Sequence, residues 1–394
     1  MRLASRMEQI GTETAFEAAA RAKALEATGR EVIHLEIGEP DFDTPSNIRD
    51  AAKRALDAGA THYAPYPGIP DLRTAIAEDF SRRRGMAVAP ASVFVTVGGK
   101  GVMYYAIMAL VEAGDEVIVP DPGYPIYASV TRFAGGTPVP IPIRQENDFR
   151  LDIDELASLV TAKTRMIVLN SPANPTGGVL TRDDLERVAA IAREHDLVVL
   201  SDEIYSRILY EGEHVSIATL PGMAERTIVL DGFSKTYAMT GWRLGYAILP
   251  ESLALAFGRL IINSVSSATT FAQVGAVEAL RGPQDAVDAM VAEFRARRDL
   301  VVDGLNSLPG ITCLRPKGAF YVFPDVSGTG RTGDEIADML LHDAGVSVLS
   351  GTAFGEVGTK HIRLSYANSR DAISRAIDKM RTALEPVAAG SRRR

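Results

Sequence analysis

Between Val93 and Ile248, short apolar runs alternate with longer segments in which apolar residues recur at helical spacing. The runs are Val93 to Val97, Val117 to Val119, Met166 to Leu169, Leu197 to Leu200, Thr227 to Leu230 and Leu244 to Ile248. None has the polar alternation of a strand with one face in water, so both faces of the sheet they form are predicted to be buried. Among the intervening segments, Thr181 to His195 carries Leu185, Val188, Ala189 and Ile191 at helical spacing. Asp183, Asp184 and Glu186 sit near its start, where acidic groups suit the positive end of the helix dipole. Strands alternating with helices predict a parallel sheet covered by helices, an α/β core.

After Arg281-Gly282-Pro283 the pattern changes. A long charged helix from Ala286 to Leu305 is followed by shorter apolar runs at Ile311 to Leu314, Ala319 to Phe323, Val346 to Leu349 and Ile362 to Ser365. These predict a second, smaller α+β domain. A helix from Thr14 to Ala27 precedes the main sheet and is expected to pack with that smaller domain. The tail from Ala388 to Arg394 is expected to fray.

The chain has 394 residues, 46% hydrophobic and 23% charged, and at about 150 residues per domain this suggests two or three domains. Lys and Arg number 42 against 50 Asp and Glu, a net charge of -8 that disfavours attraction to nucleic acid or an anionic membrane. A small-molecule partner is therefore expected. The lone Cys313 can form no internal disulfide and is read as structural, which suits a reducing compartment. Met1 to Gly29 has no apolar signal core, and Glu8, Glu13 and Glu17 argue against an acid-poor transit peptide. No apolar run approaches the roughly 20 residues that span a bilayer. The expected address is the cytoplasm.

Ligands of open α/β sheets bind beyond the carboxyl ends of the strands. There the chain repeatedly puts polar residues: Gly98 to Gly101, Tyr124, Asn170 to Asn174, Asp202 with Tyr205, and Ser234-Lys235. Gly98-Gly99-Lys100-Gly101 leads into the apolar helix Val102 to Val111, so free amides and the helix dipole would face an anion; the alternative is a plain turn. It is not a P-loop, because G-x-x-x-x-G-K-[ST] is absent. In Asp231-Gly-Phe-Ser-Lys235-Thr-Tyr-Ala-Met-Thr-Gly241-Trp-Arg243-Leu-Gly245, a lysine stands among small and apolar residues beyond a buried strand. Desolvation there lowers an amine pKa and favours Schiff-base chemistry. Arg243 offers a planar fork for a phosphate, with the Ser234 hydroxyl as a second donor.

That stretch resembles the lysine signature of the class I aminotransferases, the fold type I enzymes dependent on pyridoxal 5'-phosphate (PLP) and related to aspartate aminotransferase. Ile37-Gly38-Glu39-Pro40-Asp41, Tyr63-Ala64-Pro65 with Gly68-Ile69-Pro70, Asn170-Ser-Pro-Ala-Asn174-Pro-Thr-Gly177 and Arg363-Leu-Ser-Tyr resemble the family in the same order. The resemblance implies the PLP-dependent transferase fold, a mostly parallel sheet sandwiched by helices with a smaller α+β domain formed by both termini. Residues 1–45 would join the small domain, 46–285 would form the large PLP-binding domain, and 286–394 would supply the linking helix and the rest of the small domain.

It also implies roles. Lys235 is the Schiff-base anchor and the acid/base of a ping-pong transamination between an amino acid and a 2-oxo acid. Asp202 faces the pyridine nitrogen, although it could equally cap a helix; Tyr205, one helical turn on, and Asn174 donate to the phenolic oxygen. Tyr124 stacks on the ring, where many relatives have tryptophan. Gly99, Lys100, Gly101, Ser234 and Arg243 surround the phosphate. Arg363, helped by the Gly38 backbone and Asn174, grips the substrate α-carboxylate. Tyr63 reaches the phosphate of the neighbouring subunit, which implies a homodimer. Lys100 resembles a loop lysine that meets a side-chain carboxylate, pointing to aspartate or glutamate. Tyr124 in place of tryptophan keeps alanine, aromatic and other substrates open.

The same fold supports β-elimination, decarboxylation and ring-forming synthases, the nearest alternatives. Gly328-Thr-Gly330-Arg-Thr-Gly333 fits G-x-G-x-x-G, but the next strand ends in Ser350-Gly351 rather than in an acidic residue for a ribose, which argues against a dinucleotide enzyme. A regulator's sensor domain would need a DNA-binding extension, and none is recognised. The six histidines show no metal-binding spacing and Ser234 lacks a G-x-S-x-G elbow, so neither a metal centre nor a hydrolase is expected.

Overall fold

A computed structural model describes residues 1–391, with side chains described as far as Glu385. In chain order the main elements are α1 (Thr14–Glu26), β1 (Ile33–His34), α2 (Ser46–Asp57), α3 (Pro70–Arg84), β2 (Val93–Val97), α4 (Gly99–Leu110), β3 (Glu116–Asp121), α5 (Ile126–Phe133), β4 (Thr137–Pro142), α6 (Ile153–Leu159), β5 (Thr164–Asn170), α7 (Arg182–Glu194), β6 (Val198–Asp202), β7 (Thr227–Gly232) and β8 (Leu244–Ile248). There follow α8 (Ala254–Ser264), α9 (Thr270–Arg281), α10 (Asp285–Asn306), β9 (Tyr321–Val322), α11 (Gly333–Met339), β10 (Val346–Ser347), β11 (Leu349–Ser350), β12 (Ile362–Ser365) and α12 (Arg370–Ser391). Because α12 runs to Ser391, the expected frayed tail is helical over its first residues, while 392–394 lie outside the described residues. Among the described residues no helix is long and apolar enough to cross a membrane.

The large sheet has the order β2-β8-β7-β6-β5-β3-β4. Its two faces are both buried, as the unbroken apolar runs predict. Val93, Val95 and Val229 pack with Leu72 and Ile76 of α3 and Ala272 and Ala276 of α9. Their neighbours Phe94, Ile228 and Leu230 face the other way, onto Val102 and Ala106 of α4 and Phe257 of α8. Helix α7 is held at its start by a capping box between Thr181 and Asp184, which satisfies two otherwise orphaned groups.

The sheet is mostly parallel, as expected; the exception is β8, which runs antiparallel to both β2 and β7, because the loop 233–243 contains no crossover helix to return the chain to the other edge. Strand β4 was not anticipated. Its prolines 138, 140 and 142 alternate, so on this edge strand they turn the missing N–H away from β3. Ile311 to Leu314 forms only one bridge, Thr312 to Asp325, since Asn306 Oδ1 takes the Cys313 amide at 2.8 Å.

Near the termini, β1 pairs in parallel with β10, and β11, β12 and β9 form an antiparallel sheet. Ile33 and Leu35 share a core with Phe294, Leu305, Tyr366 and Met380, and Ala22 of α1 packs with Leu341. The N-terminal helix therefore does lie against the C-terminal elements. Cys313 is buried and free, its thiol pushed up to about 12 by burial.

Candidate active site

The carboxyl ends of β5, β6 and β7 are in register: Asn170 lies opposite Asp202, and Asp202 opposite Leu230. The antiparallel β8 begins at this same edge, Leu244 lying opposite Val97, so Arg243 arrives where the other strands end. A cavity of about 470 Å³ opens there. It is lined by Gly38, Gly99, Lys100, Tyr124, Asn174, Asp202, Tyr205, Ser234, Lys235, Arg243 and Arg363. Two expected residues stand apart from it. The Gly101 amide is already bonded to the Gly98 carbonyl at 3.1 Å, and Tyr63 is 89% exposed on the outside of the chain.

Lys235 is partly buried and donates from Nζ to the Gly38 carbonyl at 2.6 Å. Burial lowers its pKa to about 8, with Glu39 opposing and the Arg363 charge assisting. Asp202 is 7% exposed, and burial raises it to about 6 against the pull of Tyr127, whose hydroxyl donates to Oδ2 at 2.6 Å. Its other oxygen accepts the Ile204 amide at 3.1 Å, closing a turn rather than starting a helix. Tyr205 lies in that turn, and its hydroxyl meets that of Tyr321 at 2.8 Å. The expected helical turn between Asp202 and Tyr205 is thus a non-helical one, though both side chains still reach the cavity.

Arg363 is 3% exposed and fixed between the rings of Tyr321 and Phe354, at 4.6 and 5.0 Å. One Nη donates to Asn174 Oδ1 at 3.2 Å and the other to the Glu36 carbonyl, but Nε has no partner among the described residues. A buried donor without a partner is costly unless a ligand completes it, and a carboxylate is the natural mate of a guanidinium.

At the far end, Gly98 has φ 73° and precedes α4, whose first-turn amides at Gly99 and Lys100 lie beyond reach of the helix's own carbonyls. A Cβ at Gly98 would strike the Arg243 guanidinium, and one at Gly245 would strike the Gly98–Gly99 backbone. This glycine cradle, closed by a cation, suits a phosphate. With a depressed lysine amine, a buried carboxylate and a phosphate cradle in one cavity, the residues fit pyridoxal 5'-phosphate.

Asn170, at the head of its motif, also lines the cavity; Tyr127, Tyr321 and Glu13 do so too, and the sequence alone assigns them no part in it. Tyr127 follows Tyr124 by one helical turn, a spacing that could have revealed it. In the sequence Glu13 argues only against a transit peptide, whereas in the structure its carboxylate forms an ion pair with Lys100. The Gly328 to Gly333 stretch is not among the residues lining the cavity: α11 is capped by Thr332 with Glu335, and a Cβ at Gly333 would strike the His361 carbonyl.

Comparison with known proteins agrees in one direction. Residues 30–380 match the family described as aminotransferase class I and II. An aspartate aminotransferase of Pyrococcus abyssi is 44% identical over 90% of this chain and 92% of its own length. Aromatic-amino-acid aminotransferase 2 of Thermococcus litoralis is 42% identical over 98% of this chain and 99% of its own. The solved structure of Thermus thermophilus aspartate aminotransferase with maleate superposes with a TM-score of 0.92 at 40% identity, covering 97% of this chain and all of that one.

Proposed function

This chain belongs to the class I and II aminotransferases, and on that premise we propose that its amino donors are aspartate, glutamate or a related acidic amino acid. It is a transaminase that depends on pyridoxal 5'-phosphate and exchanges an amino group between an amino acid and a 2-oxo acid. When bound, the cofactor supplies an electron-accepting ring that spreads the charge left as a proton departs from the substrate Cα.

The chain's own residues do the rest. Lys235, its pKa near 8, is neutral often enough at ordinary pH to take the Cα proton and to return it, which is general acid–base catalysis by one amine. The Gly38 carbonyl accepts from the free amine at 2.6 Å and so keeps it inside the cavity. Asp202, held by Tyr127 and the Ile204 amide, would present a carboxylate to the cofactor's ring nitrogen and favour its protonated form. Tyr205 and Asn174 would donate to the ring oxygen, and Tyr124 would stack on the ring. The Gly99 and Lys100 amides, Ser234 and Arg243 would hold the phosphate, while the Gly101 amide is already taken by the Gly98 carbonyl. Arg363 fixes the substrate α-carboxylate, with Asn174 and the Gly38 backbone, so that the Cα–H bond faces Lys235. Lys100 meets the distal carboxylate.

The convergence of Lys235, Asp202 and Arg363 on one cavity supports transamination, and the observation that carries the acidic reading is Lys100 in the lining of that same cavity. An aromatic donor is a second reading, favoured by Phe16, Ile37 and Phe354 on the same wall and by the aromatic aminotransferase relative. Residues 1–45 with 286–394 form the smaller domain in this reading, because β1 pairs with β10 and Ile33 and Leu35 share the C-terminal core. The working form is a homodimer in the cytoplasm, with Tyr63 lent to the neighbouring phosphate.

The test is the absorbance of the purified protein with PLP, before and after single amino acids, for the wild type and Lys235→Ala. A visible band that requires Lys235 and bleaches faster with aspartate or glutamate than with phenylalanine is expected. A band indifferent to Lys235 would remove the anchor, and equal bleaching by all donors would remove the acidic assignment.

A further inference from the structure

Lys100 is free to receive a substrate's distal carboxylate only if it has no better partner, and the chain itself supplies one. Glu13 Oε1 is paired with Lys100 Nζ, the two side chains being 18% and 48% exposed. Glu13 stands at the N-cap of α1, but its side chain makes no capping bond, so nothing local accounts for where the carboxylate goes. The backbone just before it is anchored across the chain, the Gly11 amide donating to Ser129 Oγ at 2.8 Å. Glu13, Thr14, Ala15 and Phe16 then form one wall of the cavity that also holds Lys235 and Arg363. The charge is felt inside. Burial pushes the Tyr124 hydroxyl up and Glu13 adds to it, while at Lys235 burial lowers the amine and Glu13 is among the groups that oppose it.

We propose that Glu13 is a specificity-determining residue, an internal carboxylate that holds the distal-carboxylate position and must leave Lys100 when an acidic substrate binds, but not when an aromatic or aliphatic one does. The inference rests on the reading of Lys100 as the distal-carboxylate group. Its physical basis is that one half-exposed ammonium cannot neutralise two carboxylates, so the substrate's must displace Glu13 or be repelled by it. With Glu13 in place, the Lys100–Glu13 pair carries no net charge beside Phe16, Ile37 and Phe354; with Glu13 withdrawn, the Lys100 ammonium faces the cavity without that carboxylate. The same pocket can therefore present two chemistries.

The holoenzyme would be titrated calorimetrically with maleate, a non-reactive dicarboxylate, and with 3-phenylpropionate, an aryl monocarboxylate, in the wild type, Glu13→Gln and Lys100→Ala. Glu13→Gln is expected to tighten maleate relative to 3-phenylpropionate by about fivefold, the upper end for a partly exposed ion pair. It should raise kcat/KM for aspartate over that for phenylalanine in the same proportion. Lys100→Ala should weaken maleate by tenfold or more and 3-phenylpropionate little. If Lys100→Ala weakens maleate but Glu13→Gln leaves the ratio of the two affinities unchanged, the Glu13 inference is overturned and the Lys100 reading stands. If Lys100→Ala leaves maleate unaffected, the Lys100 reading fails and takes the inference with it. An equal change in both ligands on Glu13→Gln would mark a general wall effect and would also overturn it.

Discussion

An amine that must be neutral to take a proton needs surroundings that disfavour its charge. Lys235 has them, its pKa lowered to about 8 chiefly by burial. In protein stripped of cofactor, the rate at which an amine reagent labels Lys235 should rise with pH to a midpoint near 8; a midpoint near the ordinary 10.5 would show that burial does not act on it. Arg363 makes a different demand, for shape as well as charge. Arg363→Lys keeps the cation but loses the planar fork between Tyr321 and Phe354, so kcat/KM should fall roughly 10- to 100-fold for acidic and neutral donors alike, as for loss of a charge-assisted hydrogen bond. A loss confined to acidic donors would mean that Arg363 reads the side chain instead. Lys235 and Arg363 were both legible in the sequence, because a lysine amid small residues and an arginine in Arg363-Leu-Ser-Tyr carry local signatures. Tyr321 and Glu13 were not, because their partners lie far off along the chain, at Tyr205 and Lys100.

Elements decide what the ends of strands can offer. Strand β6 delivers Asp202 to the cavity and, one residue later, Glu203 to the interior behind it. Glu203 is 1% exposed and meets His214 at 2.8 Å, Ser216 at 2.5 Å and Arg84 at 3.3 Å. Burial alone would raise its pKa, but His214, Arg84 and Ser216 hold it at about 2. Being depressed, this group gives stability that is fully present above its unfolded value of 4.5 and lost as pH falls toward 2. Asp202, raised to about 6, works the other way, since protonation below 6 relieves a burial cost. Acid destabilisation through Glu203 should therefore appear below pH 4.5. Glu203→Gln would leave Arg84 buried without its counter-charge, and thermal unfolding at pH 7 should show a loss of about 3 kcal/mol. A variant as stable as the wild type, with the same acid limb, would mean the cluster is neutral in the folded protein. The helix/strand alternation was readable because periodicity is local. The direction of β8 was not, because it depends on what its loop packs against, and β4 was hidden by its prolines.

The whole molecule leaves apolar side chains uncovered where the dimer is proposed. Tyr63 is 89% exposed, Leu255 65% and Ile262 49%, and Tyr66 packs against Gly258 of the helix that carries the latter two. Large apolar groups gathered in water mark a contact surface more often than a free one. Ile262→Asp combined with Leu255→Asp should convert a dimer to monomer in sedimentation, and should weaken PLP binding as well if Tyr63 serves the neighbouring site. An unchanged mass would place the contact elsewhere. A monomeric variant with unaltered PLP affinity would support this dimer contact but remove Tyr63 from the phosphate.

By itself the sequence determined the α/β class, the strands buried on both faces and the family, and it picked out Lys235, Asp202, Arg243 and Arg363, which line the cavity. Each of these is written in local periodicity or in contiguous motifs. Only the tertiary structure decided that β8 turns back to bring Arg243 to the cradle, that Tyr127 backs Asp202, and that Glu13 reaches Lys100. Those pairings join positions distant along the chain, and their energy depends on distance and burial, which no local pattern encodes.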